Sequence, residues 1–260
     1  MPTGCWEGDQ FIRGICEDGK KVGSKGDPEA NFWLSPQSWA VISGCADRTQ
    51  GSAVLDKVAK RLNTEYGAML LDPPYQSHAF SGAGMLLFNA STKENGGICS
   101  QPQGWLILAE SLLGRGDMAF RYFEESSPAT MNSKAEIRRI EPYVHGQFTE
   151  GKYSPNYGRA HVHWLTGTAS TVMVGCVKGI LGLRPVLKGI VINPSIPSSW
   201  KGFSMRKVFR GKILNITVDN SEGAQGGKAR ITLNGEDLGD DFIPAAKLKP
   251  INDVSVFMMR

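Results

Sequence analysis

Residues 102–114 read PQGWLILAESLLG, and a second P-Q-x-W opening, PQSW, stands at residues 36–39, 66 positions earlier. Proline suits the first turn of a helix, where its missing N–H would have found no partner. Trp105, Leu108, Ala109, Leu112 and Leu113 then fall at i, i+3, i+4, i+7 and i+8, which predicts one buried stripe. Gly114 and Gly116 close that helix, and DMAFRYFEESSP (117–128) opens the next. The first copy has the same layout: SPQSWAVISGC (35–45), a turn at Thr49-Gln50-Gly51-Ser52, then the amphipathic AVLDKVAKRLNTEYG (53–67). The repeating unit is a helical hairpin. A spacing of roughly 60 residues fits inner-plus-outer helix pairs with long decorated loops, as in an α/α toroid.

A further helix is expected from about Thr168 to Leu183. It is apolar or small almost all round, which predicts burial on most sides. From about Pro185 the period changes to two: GIVINPSIP, MRKVFRGKILNITVDN and ARITLNGEDL alternate apolar and polar residues, and Asn234-Gly235 is a strong hairpin signal. RPVLKG (184–189) is read as the end of the last helix, and the glycines at 223–227 as a loop inside the β part. Two parts follow, 1–184 helical and 185–260 an antiparallel sheet, one layer of a sandwich.

Composition excludes several classes. With 41% hydrophobic and 21% charged residues the chain is neither disordered nor membranous, and its longest apolar stretch, around 172–183, is broken by Gly175, Lys178 and Gly179. MPTGCWEGDQF has neither a basic n-region nor an apolar h-region, so no secretion signal is expected and a cytoplasmic location is. Five cysteines, widely spaced and without a C-x-x-C pair, are read as reduced thiols. A net charge of +4 with no basic run gives no nucleic-acid footprint, yet suits an anionic small ligand.

Three segments carry candidate chemistry. STKENGGICSQPQGW (91–105) crowds charged, flexible and polar groups onto one loop, and is either a solvated connection or one rim of a pocket. Thr166-Gly167-Thr168 starts the apolar helix, where free N–H groups, a glycine and hydroxyls form either an anion site or a plain N-cap. His161 and His163 form an H-x-H pair read as hydrogen-bonding loop residues, since no third ligand stands at metal spacing. Glu136 and Glu141 lie among Arg138 and Arg139 in AEIRRIEPYVHGQF, a salt-bridged structural segment by default, with His145 and Gln147 near its end as the residues that could face a ligand. No P-loop, nucleophile elbow or dinucleotide fingerprint is present.

Taken in order, WEGDQFIRG…GKKVGSK, KENGG…QGW, AEIRRIEPYVHGQFTEGKYSP, WLTGTAS and GILGLRPVLKGIVINPSIPSSW strongly resemble the C-terminal part of the cellobiose and chitobiose phosphorylase family of inverting glycoside phosphorylases. The likeness runs from about Trp6 to Asn220. It implies an (α/α)6 barrel followed by a β domain, and a reaction in which phosphate attacks the anomeric carbon of a β-linked disaccharide. It further implies that Thr166 and Gly167 bind phosphate, that Lys93 and Glu94 bind sugar near the scissile bond, that Phe88 lines the acceptor subsite, and that Gln147 contacts sugar. Gln101 stands where the family usually has a phosphate-contacting histidine; it can donate a hydrogen bond but carries no charge.

The family's general acid belongs to an Asp-Trp-Asn-Asp type segment expected upstream of Met1, so no catalytic acid is assigned within this sequence. The chain is read as a C-terminal fragment holding about half a barrel, whose inner faces would be exposed unless the missing N-terminal part covers them. Disaccharide and phosphate are the expected partners, with a homodimer by family habit; no cofactor is implied beyond phosphate as co-substrate, and no metal, nucleic acid or membrane. The alternatives are a non-catalytic carbohydrate-binding or subunit-interface module, and a glycoside hydrolase of related toroidal fold.

Overall fold

A computed structural model describes residues 4–77 and 87–260. The chain is a mixed helix and sheet protein with two compact units: Met1–Ala109 with Tyr122–Met173, and Glu110–Arg121 with Val174–Arg260. In the first unit, strands β1 (Gly14–Ile15) and β2 (Lys21–Val22) form a hairpin, and β3 (Phe32–Trp33) runs directly into helix α1 (Leu34–Ile42). Helix α2 (Arg48–Arg61) is followed by β4 (Asn63–Thr64), β5 (Gly67–Ala68) and β6 (Leu71–Asp72), with β3 paired to β6 and β4 to β5. Strand β7 (Ile98–Cys99) enters α3 (Ser100–Leu112) just as β3 enters α1. Next come α4 (Gly116–Ser126), the single turns α5 (Pro128–Met131) and α6 (Ala135–Arg138), then β8 (Gly146–Thr149), β9 (Ala160–His163) and α7 (Thr168–Val174). Strands β7, β8 and β9 make one antiparallel sheet.

The sequence repeat is a structural one. Gln37 is fully buried in α1; its Oε1 accepts from the Phe11 N–H at 2.9 Å, and its Nε2 donates to the carbonyls of Phe11 (2.8 Å) and Trp33 (2.9 Å). Gln103 does the same from α3, accepting from the Ala68 N–H at 2.9 Å and donating to the carbonyls of Ala68 (2.9 Å) and Cys99 (2.8 Å). Each glutamine thus ties an extended segment, and the last residue of the strand preceding its own helix, to that helix's first turn. Buried backbone groups need such partners. The tryptophans of the two motifs, Trp39 and Trp105, meet edge to face at 5.4 Å.

Several details depart from the sequence reading. The turn expected at 49–52 lies inside α2, because Asp47 starts that helix earlier: its side chain accepts from the Gln50 N–H at 2.8 Å, and Gln50 Oε1 accepts from the Asp47 N–H at 3.2 Å, a capping box. On α3 the fully buried side chains are Leu106, Ile107, Ala109 and Glu110, while Trp105, Leu108 and Leu112 are only half-buried. The anchored Gln103 sets the helix's rotation and turns the expected stripe aside. Helix α7 passes at Gly175 into a π-type turn ending at Ile180, and Met173 is 62% exposed, so it is not buried on most sides.

Arg61 and Asp72 hold the end of α2 to β6: Arg61 donates to Asp72 Oδ2 at 2.8 Å, Tyr153 Oη donates to Oδ1 at 2.8 Å, and Lys152 Nζ lies 3.2 Å from Oδ1. Burial alone would raise the Asp72 carboxyl, but these partners outweigh it and hold it below its ordinary value. A depressed carboxyl contributes stability that is present above the unfolded value, near pH 4, and is lost as pH falls through the folded one. Thermal melts should therefore show wild type losing more stability than Asp72→Asn between about pH 5 and pH 2. Parallel melting curves for the two proteins across that window would contradict the assignment.

In the second unit, RPVLKG is a hairpin and not a helix end. Strand β10 (Leu183–Val186) pairs with β11 (Gly189–Ile192), which pairs in turn with β16 (Phe242–Pro244). A five-stranded sheet has the order β12 (Gly202–Phe209), β13 (Lys212–Asp219), β17 (Ile251–Met259), β14 (Lys228–Leu233), β15 (Glu236–Asp237). Arg210-Gly211 and Asn234-Gly235 make its tight hairpins with positive φ at all four residues. The sheet is not wholly antiparallel: β13 and β17 run parallel, which the long crossover between them permits. Leu214, Ile216, Val218, Ile231, Val254 and Val256 line its covered face, each at 3% exposure or less. Burying such side chains contributes about 1.5–3 kcal/mol apiece. Gly116 seats the α3–α4 corner in this unit, since a Cβ there would lie 2.1 Å from the Ile196 carbonyl oxygen.

Candidate functional site

A cavity of roughly 320 Å3 opens in the first unit. Its wall includes Lys93 and Glu94 from the 91–97 loop, Gln101 from the first turn of α3, Gln147 from β8, and Thr166 and Gly167 just ahead of α7. Residues far apart in sequence meet here because three elements that begin helices converge: Ser35 in the first turn of α1, Gln101 and Pro102 in that of α3, and Thr166-Gly167. Helix starts present free N–H groups and a partial positive charge.

The 91–97 loop is pinned by hydrogen bonds and close backbone contacts. Asn95 is fully buried; its Oδ1 accepts from the Tyr75 N–H at 2.8 Å, and its Nδ2 donates to the carbonyls of Tyr75 and Phe88, each at 2.9 Å. Gly97 passes so close to Lys93 that a Cβ would lie 2.6 Å from its backbone nitrogen. Lys93 takes a positive φ of 44°, a conformation uncommon outside glycine and asparagine, and its ammonium sits 5.3 Å from the ring centre of Phe88. Phe88 reaches the site through that contact and is not itself on the cavity wall. Cys99 lies below the loop; burial, and then Glu94, push its thiol up to about 12, so it stays protonated and inert.

On the opposite side, Gln101 stands against Gly167: a Cβ on the glycine would lie 3.7 Å from the Gln101 amide, ordinary contact distance. Thr166 Oγ1 accepts from the Thr168 N–H at 3.1 Å, so it caps locally and lines the cavity at once. Thr171 Oγ1 donates to the Gln101 carbonyl at 2.9 Å, and Gly104 lets α3 and α7 touch backbone to backbone. His161 and His163 lie on strand β9, not in a loop. His161 Nε2 is 2.6 Å from Glu150 Oε1, and its ring stacks at 4.9 Å on Phe148, which lines the cavity next to Gln147. Glu141 takes the Trp164 indole N–H at 2.6 Å and lies 3.5 Å from His163, while Arg138 is buried with no carboxylate partner among the described residues. The expected pairing of Glu136 and Glu141 with the two arginines is not formed. Arg13, Ser35 and Trp33 also line the cavity and were not singled out from sequence. A lone arginine in FIRG carries no motif that would have shown it.

Residues 1–182 match the catalytic domain of the glycosyl hydrolase 94 superfamily. The chain belongs to that family. Beyond the glycosyl hydrolase 94 segment, residues 183–238 match the C-terminal domain of glycosyl hydrolase family 65. The chain is similar to the N,N'-diacetylchitobiose phosphorylases of Vibrio proteolyticus (34% identical over 241 residues, 93% of this chain and 30% of that one) and Vibrio furnissii (33% over 258 residues, 98% and 32%). It is also similar to the solabiose phosphorylase of Paenibacillus borealis, 30% identical over 239 residues, 92% of this chain and 31% of that one. This glycosyl hydrolase 94 chain spans about a third of the length of these relatives. Among the described residues no helix is long and apolar enough to cross a membrane.

Proposed function

We propose that the chain supplies the phosphate and acceptor side of an inverting glycoside phosphorylase that splits a β-linked disaccharide such as cellobiose. The observation that carries this reading is the meeting of Lys93, Glu94, Gln101, Gln147, Thr166 and Gly167 on one cavity of a glycosyl hydrolase 94 chain whose relatives are named phosphorylases. Phosphate lies against Thr166, Gly167 and Gln101, and the sugar against Gln147, Lys93 and Glu94, with Phe88 holding the Lys93 ammonium. One phosphate oxygen bonds to the anomeric carbon as the glycosidic C–O bond breaks, and a carboxylic acid gives its proton to the departing oxygen. The products are a sugar 1-phosphate of inverted configuration and a free sugar. An inverting hydrolase needs a second carboxylate to activate water; phosphate is already a nucleophile, so one acid suffices.

That acid is assigned to an Asp-Trp-Asn-Asp type segment outside this sequence, carried by the N-terminal part of the same enzyme. Residues 1–184 are then about half of an (α/α)6 barrel and 185–260 its C-terminal β domain, in a cytoplasmic homodimer. Apolar side chains left open in the first unit favour such a covering part: Trp164 is 76% exposed, Leu165 69% and Trp39 46%. Calorimetric titration of inorganic phosphate into the chain tests the reading. Thr166→Val, which keeps the shape and removes the hydroxyl, is expected to weaken phosphate binding about tenfold, the loss of one charge-assisted hydrogen bond. Wild-type chain that takes up no phosphate, or a variant that binds as wild type does, would remove Thr166 from the site.

A further inference from the structure

Arg13 lies 75 or more residues from every group assigned above and yet lines the same cavity. Its guanidinium sits 5.2 Å from the ring centre of Trp33, itself a buried wall residue whose indole N–H donates to the Ala30 carbonyl at 2.7 Å. Gly23 makes this stacking possible: a Cβ there would lie 2.8 Å from both Arg13 Cβ and Trp33 Cδ1, and its φ is +70°. Among the described residues the Arg13 guanidinium pairs with no carboxylate and donates to no oxygen of the chain. A planar, always-charged fork held against an indole and left without an acceptor is suited to an anionic ligand.

Charge in the cavity makes the same point. Its ionisable wall residues are Arg13, Lys93, Glu94 and the Cys99 thiol, which stays neutral. Lys93 and Glu94 are adjacent and offset one another, so Arg13 is the positive charge left over. The repeat adds a neighbour. In S-P-Q-S-W and Q-P-Q-G-W, Ser35 occupies the place that Gln101 occupies in the second copy, and both line the cavity. We infer that Arg13, with the Ser35 hydroxyl beside it, supplies the positive charge of the phosphate site that the uncharged Gln101 does not. The inference rests on the phosphate reading of Thr166, Gly167 and Gln101.

The test is titration of inorganic phosphate, and separately of glucose, into the full chain as wild type, Arg13→Met and Arg13→Lys. Because Arg13 is exposed and bonded to no other side chain, both variants should fold, which an unchanged melting temperature verifies. Arg13→Met is expected to raise the Kd for phosphate at least about tenfold and to flatten its dependence on ionic strength, with the Kd for glucose unmoved. Arg13→Lys should recover part of the loss, since it restores the charge but not the fork. If wild type binds phosphate and Arg13→Met binds it equally well, the Arg13 assignment fails while the phosphate reading stands. If Arg13→Met weakens glucose and leaves phosphate alone, Arg13 belongs to the sugar and the assignment fails. If wild type binds no phosphate, the underlying reading fails and takes this inference with it.

Discussion

Replacing Gln103 with leucine should destabilise the first unit by about 4 kcal/mol, lowering its melting temperature by roughly 10 °C. Leucine fills nearly the same volume, so packing is little changed and the cost comes from polar groups. The Ala68 N–H and carbonyl and the Cys99 carbonyl would each lose a bond of 2.8–2.9 Å at a site that is 1% exposed. A buried backbone group left without a partner costs about 1–3 kcal/mol, and three are affected. Gln37→Leu should behave alike, since it holds Phe11 and Trp33 in the same way. Glutamate at either position would keep the acceptor and lose the donor, leaving two carbonyls unmet and an added buried charge. Urea unfolding followed by tryptophan fluorescence measures the loss, and a change below about 1 kcal/mol for Gln103→Leu would show that the anchor is dispensable.

Gly104→Ala should also be severe, although helix propensity alone predicts the reverse. Alanine inside a helix is favoured over glycine by about 1 kcal/mol. Here the new Cβ would stand 2.3 Å from the carbonyl carbon and oxygen of Thr171. Both neighbours are backbone, so neither can rotate away, and α3 and α7 must move apart by about 1 Å or more. Overpacking of this kind costs about 1–3 kcal/mol, and more where backbone must shift, so the clash outweighs the propensity gain. The same separation would pull Gln101 from Gly167, and phosphate affinity should fall about tenfold or more even in the folded fraction. Gly26→Ala, where nothing lies within 4 Å of the added carbon, is the matched control and should stay within about 0.5 kcal/mol of wild type. A Gly104→Ala protein that melts and binds like that control would refute the close-contact account.

Local signals carried the fold where they were not in competition. Asn234-Gly235 and the alternation through Lys212–Asp219 and Lys228–Leu233 could be read because one face of each strand is covered and a one-residue slip would turn it inside out. The parallel pairing of β13 with β17 could not, because register across a long crossover leaves no local mark. Helix starts were legible from Pro36 and Pro102, but the face of α3 was not: its rotation follows from where Gln103 finds the backbone of Ala68, 35 residues away. Asp47 and Gln50 did carry a capping signal, and Gly51-Ser52 drew attention from it. At the site, spacing alone reached a possible anion-binding turn at Thr166-Gly167, and the rest came from motifs met in order. Arg13 and Ser35 stayed hidden because nothing near them in sequence says that they share a wall with Gln147.

The doubled P-Q-x-W element separates two jobs onto neighbouring residues. The glutamine side chain looks inward and fastens scaffold to scaffold, while the residue just before the proline, Ser35 in one copy and Gln101 in the other, looks into the cavity. Chemistry at the mouth can therefore be rewritten one letter at a time without loosening the fastener two positions on. Exchanging the letters of the two copies, Ser35→Gln with Gln101→Ser, would move an amide from one wall to the other on an unchanged frame, which makes this short word a natural point of entry for redesigning what the cavity accepts.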